Sequence, residues 1–234
     1  MLFRSALLAH LVLTSIRIWR FAPPVARSDR RYLALLGWNP GTEQEIFSLD
    51  ELVQAFSLDR VQKAGAIFDL QKLDWLQGQW MRRIAPEDFA KRIQPLVSVV
   101  HPAAANDPLF LDRAKLIQER ITFFHEAPEM MGYFYARPIV PDDVLFNPKQ
   151  KVTKEDLPTI LSLLTNALEP IAATDWNLTC IQTVLEAAIA SSPFKKGQVL
   201  WPLRALLTGR AYSPGAYEVA SLLPKEEVMG RLRK

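Results

Sequence analysis

Apolar residues return every three or four positions along most of this chain, and no run alternates as a strand requires. The pattern is clearest from Asp69 to Ile84. Leu73, Leu76, Trp80 and Ile84 form one stripe behind a capping aspartate. The fold class implied is all-α. Nine glycines and 17 prolines in 234 residues suit helices with firm stops better than a turn-rich β fold.

Further helices are read on either side. Asn39-Pro40-Gly41 is a turn after a helix end at Gly37, and Ser48 with Glu51 is a capping box onto which Phe47 and Leu52 can staple. A short helix follows, then a second after Ser57 with Leu58, Val61 and Ala64 on one face and Gly65 at its end. Pro86 opens another, with Phe89, Ile93 and Leu96 inward. HPAAAND reads as a loop. Asp107-Pro108 starts a helix expected to run to Glu126, to carry Arg113 and Arg120, and to be closed by Pro128. The aromatic, proline-rich MMGYFYARPIVPDD is the expected hinge. Two consecutive helical-bundle units follow from this, 32–140 and 141–234. After the hinge, Thr153 and Asp156 open a helix with Ile160, Leu161, Leu164 and Leu168 inward, and Trp176 to Ala190 forms the next.

Charge is unevenly spread. Residues 1–31 hold six arginines and one aspartate, a net +5; residues 32–194 are net −7; residues 195–234 are net +5. A sequence-independent nucleic-acid binder needs a cationic face, which most of the body lacks and the last forty residues could supply. Residues 1–31 stand apart. Their apolar run from Ala6 to Ile16 is too short to span a bilayer, which takes about 20 residues. They read as an unstructured or wrongly joined extension, with a signal peptide as the less favoured reading. A single cysteine, Cys180, rules out an intrachain disulfide framework and a multi-cysteine zinc site, and fits a reducing compartment.

Catalytic patterns are missing from the sequence. It has no glycine-rich phosphate loop, and His10, His101 and His125 form no metal spacing. No serine, cysteine or threonine carries a nucleophile signature. Two places remain. Trp75 and Arg82 lie seven apart on one helix face, off the buried stripe. They are either a contact for unpaired bases or a packed tryptophan beside a solvated arginine. WPLRALLTGRAYSPG, residues 201–215, reads as a helix opened by Pro202 and stopped at Gly209, with a new start at Ser213-Pro214. A cationic turn, Lys195-Lys196-Gly197, precedes it. Arg204 there can pair a base edge or simply pack between helices.

Two long blocks carry a resemblance. LALLGWNPGTEQEIFSLDELVQAFSLDRVQKAGAIFDLQKLDWLQGQWMR and GQVLWPLRALLTGRAYSPGAYEVASLLPKEEVMGRL are similar to the C-terminal half of bacterial-type glutamyl-tRNA synthetases. The similarity covers about 32–234. It implies a class I anticodon-binding architecture of two helical units. It also implies ATP as the cofactor of the intact enzyme, but neither family ATP signature occurs in this sequence, so no catalytic residue, cofactor or metal is expected in this chain itself. The implied partners are the tRNA for glutamate and a separate catalytic domain, with no DNA and no membrane. The implied setting is a cytoplasmic monomer. A truncated gene, a frameshift near Arg31 or a wrongly chosen start would produce such a chain.

The resemblance also assigns residues. Trp75 and Arg82 match tRNA contacts near the anticodon arm. Arg120 matches the arginine that reads the third anticodon base and separates glutamate from glutamine tRNAs. Arg204, Ser213 and Pro214 match residues around the first two. Pro224 departs from the family's usual glycine. The competing reading, from a different class, is a helical protein-interaction module targeted to membranes by residues 1–20.

Overall fold

The computed structural model describes Leu35 and residues 38–61, 68–146 and 148–233. Contacts divide the chain into two compact units, Met1–Trp80 and Met81–Lys234. Expectations for residues 1–31 and for the helix end at Gly37 fall outside the described residues. Among the described residues every regular element is helical, and the one strand-like pairing is an isolated bridge between Trp38 and Val61. No described helix is long and apolar enough to cross a membrane.

In the first unit, helix α1 (Leu49–Ala55) starts with the expected capping box. Ser48 Oγ accepts from the Glu51 N–H at 3.1 Å, and Glu51 Oε2 accepts from the Ser48 N–H at 2.6 Å. Phe47 and Leu52 are buried together with Trp38. Gly41 turns the chain at φ 74°, its N–H bonded to Asn39 Oδ1 at 2.8 Å. The helix expected after Ser57 is instead a 3₁₀ turn, Leu58–Arg60. Leu58 is 79% exposed, and Val61 is extended where it pairs with Trp38. A β-branched residue with a bridge partner has little to gain from a helix. Ala64 and Gly65 lie outside the described residues. Asp69 caps helix α2 (Leu70–Arg83), accepting from the N–H groups of Gln71 and Lys72 at 2.9 and 3.2 Å.

The second unit holds α3 (Pro86–Val100), α4 (Phe110–Gln118), α5 (Ala127–Met131), α6 (Asp142–Leu145), α7 (Asp156–Leu168), α8 (Leu178–Ala190), α9 (Lys196–Thr208), α10 (Ala216–Ser221) and α11 (Lys225–Leu232). Phe89, Ile93 and Val97 of α3 are fully buried, a run of i+4 steps, whereas the expected Leu96 is 41% exposed. HPAAAND contains a 3₁₀ helix, Pro102–Asn106, rather than a plain loop. The long helix expected to reach Glu126 breaks after Gln118, so Arg120 lies in the turn beyond α4. Pro128 does not close a helix but sits in the first turn of α5, where its missing N–H costs nothing. Helix α9 begins before Pro202, which is interior to it. The stretch read as a cationic turn is therefore the helix start: the Lys195 N–H donates to Gln198 Oε1 at 3.0 Å.

One hydrophobic cluster runs from Met81 to Leu232 and takes in α3 through α11. Met131, Tyr133 and Phe134 belong to it, so the segment expected as a hinge packs in the core, and the cluster continues across position 140/141. Two buried arginines tie elements over this core. Arg113 donates to Asp107 Oδ2 at 2.8 Å and to the Leu222 carbonyl at 2.9 Å. Arg231, 4% exposed, donates to Glu227 at 2.8 Å, to the Tyr133 carbonyl at 2.8 Å and to the Leu207 carbonyl. The hydrogen bond from Arg231, helped by Arg137, holds the Glu227 carboxyl below the usual carboxylate range against the opposing effect of burial. Its contribution is therefore complete above the ordinary carboxylate pKa and is lost as pH falls through the lowered value.

Replacing Arg231 with methionine leaves two buried carbonyls unpaired. It should cost roughly 2–4 kcal/mol in urea unfolding at neutral pH. Replacing Glu227 with glutamine should flatten the acid limb of the stability curve.

Candidate nucleic-acid interface

Arg82 and Arg120 are 38 positions apart in the chain, and one buried side chain brings them together. Gln118, 6% exposed, donates its amide N–H groups to the Met81 carbonyl at 2.9 Å and the Ile84 carbonyl at 2.8 Å. That fixes the end of α2 to the end of α4. Arg82 Nη2 then reaches the Glu119 carbonyl at 3.3 Å, next to Arg120. Arg82, Glu119, Arg120, Met130 and Tyr212 line a groove of about 380 Å³.

Arg204 comes to the same neighbourhood from α9. Its guanidinium carbon lies 4.4 Å from the centre of the Trp201 ring, and its Nη2 donates to the Ala211 carbonyl at 3.1 Å, one residue before Tyr212. Trp201 is itself fixed, since its Nε1 donates to the Val144 carbonyl at 2.7 Å. The pKa of Arg204 is lowered, first by burial and then by the charge of Arg120. An arginine stays protonated through such a shift, so the two remain cations that repel each other. An anionic ligand would relieve that repulsion.

Gly209 ends α9 at φ 67°, in the left-handed region. A Cβ there would come 2.5 Å from the Ile139 carbonyl oxygen, so only glycine fits. The turn that follows carries Tyr212, 87% exposed, out to the groove.

Ser213 and Pro214 do not share that exposure. Both are buried. The Ser213 hydroxyl, 1% exposed, accepts from Thr208 Oγ1 at 3.3 Å and donates to the Pro214 carbonyl at 3.3 Å. They shape the turn from below. Trp75 lies in the first unit and is 45% exposed; Arg82 is also exposed. The structure thus brings Arg82, Arg120 and Arg204 to one neighbourhood, with Ser213 and Pro214 under it.

Tyr212 and Trp201 escaped the sequence reading. An aromatic between Arg210 and Ser213, at a helix stop, was the available signal for the first. Nothing local marked the second, whose role depends on Val144. A larger hollow of about 450 Å³ includes Arg137 and Arg210, but each faces a carboxylate, Glu227 at 3.5 Å and Glu129 at 2.9 Å. Among the described residues no group of histidine, cysteine, aspartate and glutamate could hold a metal ion.

The chain is similar to known tRNA-ligase proteins over most of its length. The family described as anticodon binding domain matches residues 88–234. The chain is 34% identical over 204 residues to a glutamate–tRNA ligase of Clostridium novyi (strain NT), covering 86% of this chain and 42% of the relative. To the glutamate–tRNA ligase of Clostridium tetani it is 36% identical over 204 residues, covering 86% and 41%. Among solved structures, a glutamate tRNA ligase from Elizabethkingia meningosepticum in complex with its amino acid superposes with a TM-score of 0.68 at 26% identity, covering 88% of this chain and 40% of that one. The glutamate-tRNA synthetase of Elizabethkingia anophelis gives 0.67 at 26% identity, covering 88% and 39%. The chain spans about two fifths of the length of the curated relatives it matches.

Replacing Ser213 with alanine should lower stability by about 1 kcal/mol, the worth of an internal hydrogen bond. Thermal unfolding measures this. Unchanged stability with lost RNA binding would instead place the hydroxyl on a ligand.

Proposed function

The chain belongs to the family of anticodon binding domains, and from that premise we propose that it reads the anticodon loop of the tRNA for glutamate. The observation that carries the reading is the groove of Arg82, Arg120 and Tyr212, with Arg204 held beside it on Trp201. Unpaired loop bases are read by stacking and by hydrogen bonds to their edges. Tyr212 offers the stacking face, worth roughly 1–3 kcal/mol per base. Arg120 and Arg204 offer bidentate donors, each adding about 1–3 kcal/mol of discrimination. Arg120 also separates glutamate from glutamine tRNAs. Trp75 adds a contact on the anticodon arm, and Ser213 with Pro214 supports the loop that presents Tyr212.

On this reading the chain performs no chemistry by itself. ATP and glutamate are handled by a separate catalytic domain, to which the chain reports a correct anticodon. It works in the cytoplasm as a monomer. The similarity to glutamate–tRNA ligases and the match of residues 88–234 to the anticodon binding domain support the tRNA reading over a membrane-targeted interaction module.

Binding of the glutamate tRNA transcript, compared with one whose anticodon is exchanged, tests the reading. The correct RNA should bind at least tenfold more tightly. Arg204→Ala should reduce that preference, and Tyr212→Ala should weaken binding about five- to tenfold while Tyr212→Phe retains it, as the low end of stacking energies requires. Equal affinity of the unaltered chain for both RNAs overturns the reading.

A further inference from the structure

Four exposed lysines gather at the end of α9 away from Arg204. Lys151 and Lys154 belong to the segment before α7, and Lys195 and Lys196 to the start of α9. The Gln198 side chain clamps the two segments together. Its Oε1 accepts from the Lys195 N–H at 3.0 Å, and its Nε2 donates to the Lys151 carbonyl at 3.2 Å. The Gln150 side chain also reaches the start of α9: a Cβ on Gly197 would lie 2.9 Å from Gln150 Oε1. Lys151 adopts φ 54°, a left-handed conformation uncommon for a residue with a long side chain. The fold therefore keeps Lys151 in an uncommon backbone state, tied through Gln198 to Lys195.

The charges are only partly answered. Lys196 pairs with Glu186, and the nearest carboxylate to Lys154 is Asp142, at 4.0 Å. Among the described residues no carboxylate lies within ion-pair distance of Lys151 or Lys195. Lysine is a compact point charge on a flexible stem, suited to phosphate oxygens and poorly suited to reading base edges. Nine residues separate Lys195 from Arg204 along α9, about 14 Å at 1.5 Å per residue.

We infer that this lysine cluster grips the sugar–phosphate backbone of the RNA arm whose loop enters the Arg82–Arg120–Tyr212 groove, a contact indifferent to base sequence. The inference rests on the anticodon-loop reading. In it α9 divides the work between its ends: lysines fix the register of the strand, and Arg204 helps to read it. Such a division is what separates positioning contacts from specifying ones.

The test uses the full chain with Lys151→Gln and Lys195→Gln together. Affinity for the glutamate tRNA transcript and for the anticodon-exchanged transcript is measured between about 50 and 200 mM salt. The expected result is an equal fractional loss for both RNAs, with the slope of log affinity against log salt less steep by about 1.4–1.8, two phosphates' worth. An unchanged slope, or a loss confined to the correct RNA, overturns the inference. Should that pair lose helix content, Lys154→Gln with Lys195→Gln carries the same measurement. The unaltered chain separates the two claims: if it fails to prefer the correct anticodon, the loop reading fails, while the slope still reports on the lysines.

Discussion

The Gln118 amide is the constraint on which the candidate site depends. It is buried, and it donates two hydrogen bonds to carbonyls at the end of α2. A buried amide without partners costs several times what a satisfied one gains. The pairing therefore fixes where α2 stops relative to α4, and so where Arg82 meets the turn that carries Arg120. The helices alone would not do this. Their apolar stripes tolerate small slides, whereas two directed hydrogen bonds from one planar group do not.

Two of the three arginines at the groove are held in place before any ligand arrives. Arg82 is bonded to the Glu119 carbonyl, and Arg204 to the Ala211 carbonyl and the Trp201 ring. Freezing a long side chain at an interface ordinarily costs about 0.5–1.5 kcal/mol. That is comparable with the low end of what stacking one base returns, so placing the arginines in advance decides whether a single contact is worth making. The burial that lowers the Arg204 pKa is the cost of that placement, offset locally by the carbonyl and the indole face. Tyr212 is the exception, left almost wholly exposed as a free aromatic surface.

Much of the fold is legible in the sequence because it is local. The Ser48–Glu51 box, the Asp69 cap, the Asn39–Gly41 turn, the Gly209 stop and the stripe of α7 each depend on residues within one or two turns; of the α2 stripe only Leu76 is buried, and Met81 takes the core position instead. The misreadings share another cause. The break after Gln118 follows from what Gln118 must bond far away, and no periodicity in QERITFF records it. Pro202 looks like a helix start, yet α9 is long enough to absorb it. The 130–143 segment has a hinge's composition, but its aromatics fill the core and the Tyr133 carbonyl receives Arg231 across 98 positions. The site was legible in the same uneven way. Arg82 and Arg204 stand out by their place on their helices, the role of Arg120 comes only from the resemblance, and the three lie in one neighbourhood. Ser213, which the resemblance sets around the first two anticodon bases, is buried with its hydroxyl against Thr208. Family similarity transfers residue identity, while the side a side chain shows depends on packing the motif does not encode.

The central claim is that unpaired anticodon bases enter the groove between Arg120 and Tyr212. Photocrosslinking tests it directly, using glutamate tRNA with 4-thiouridine in the anticodon loop and mass spectrometry of the adducts. The account predicts adducts on the peptides spanning 119–130 and 201–214. Efficient crosslinking confined to other parts of the chain would contradict it.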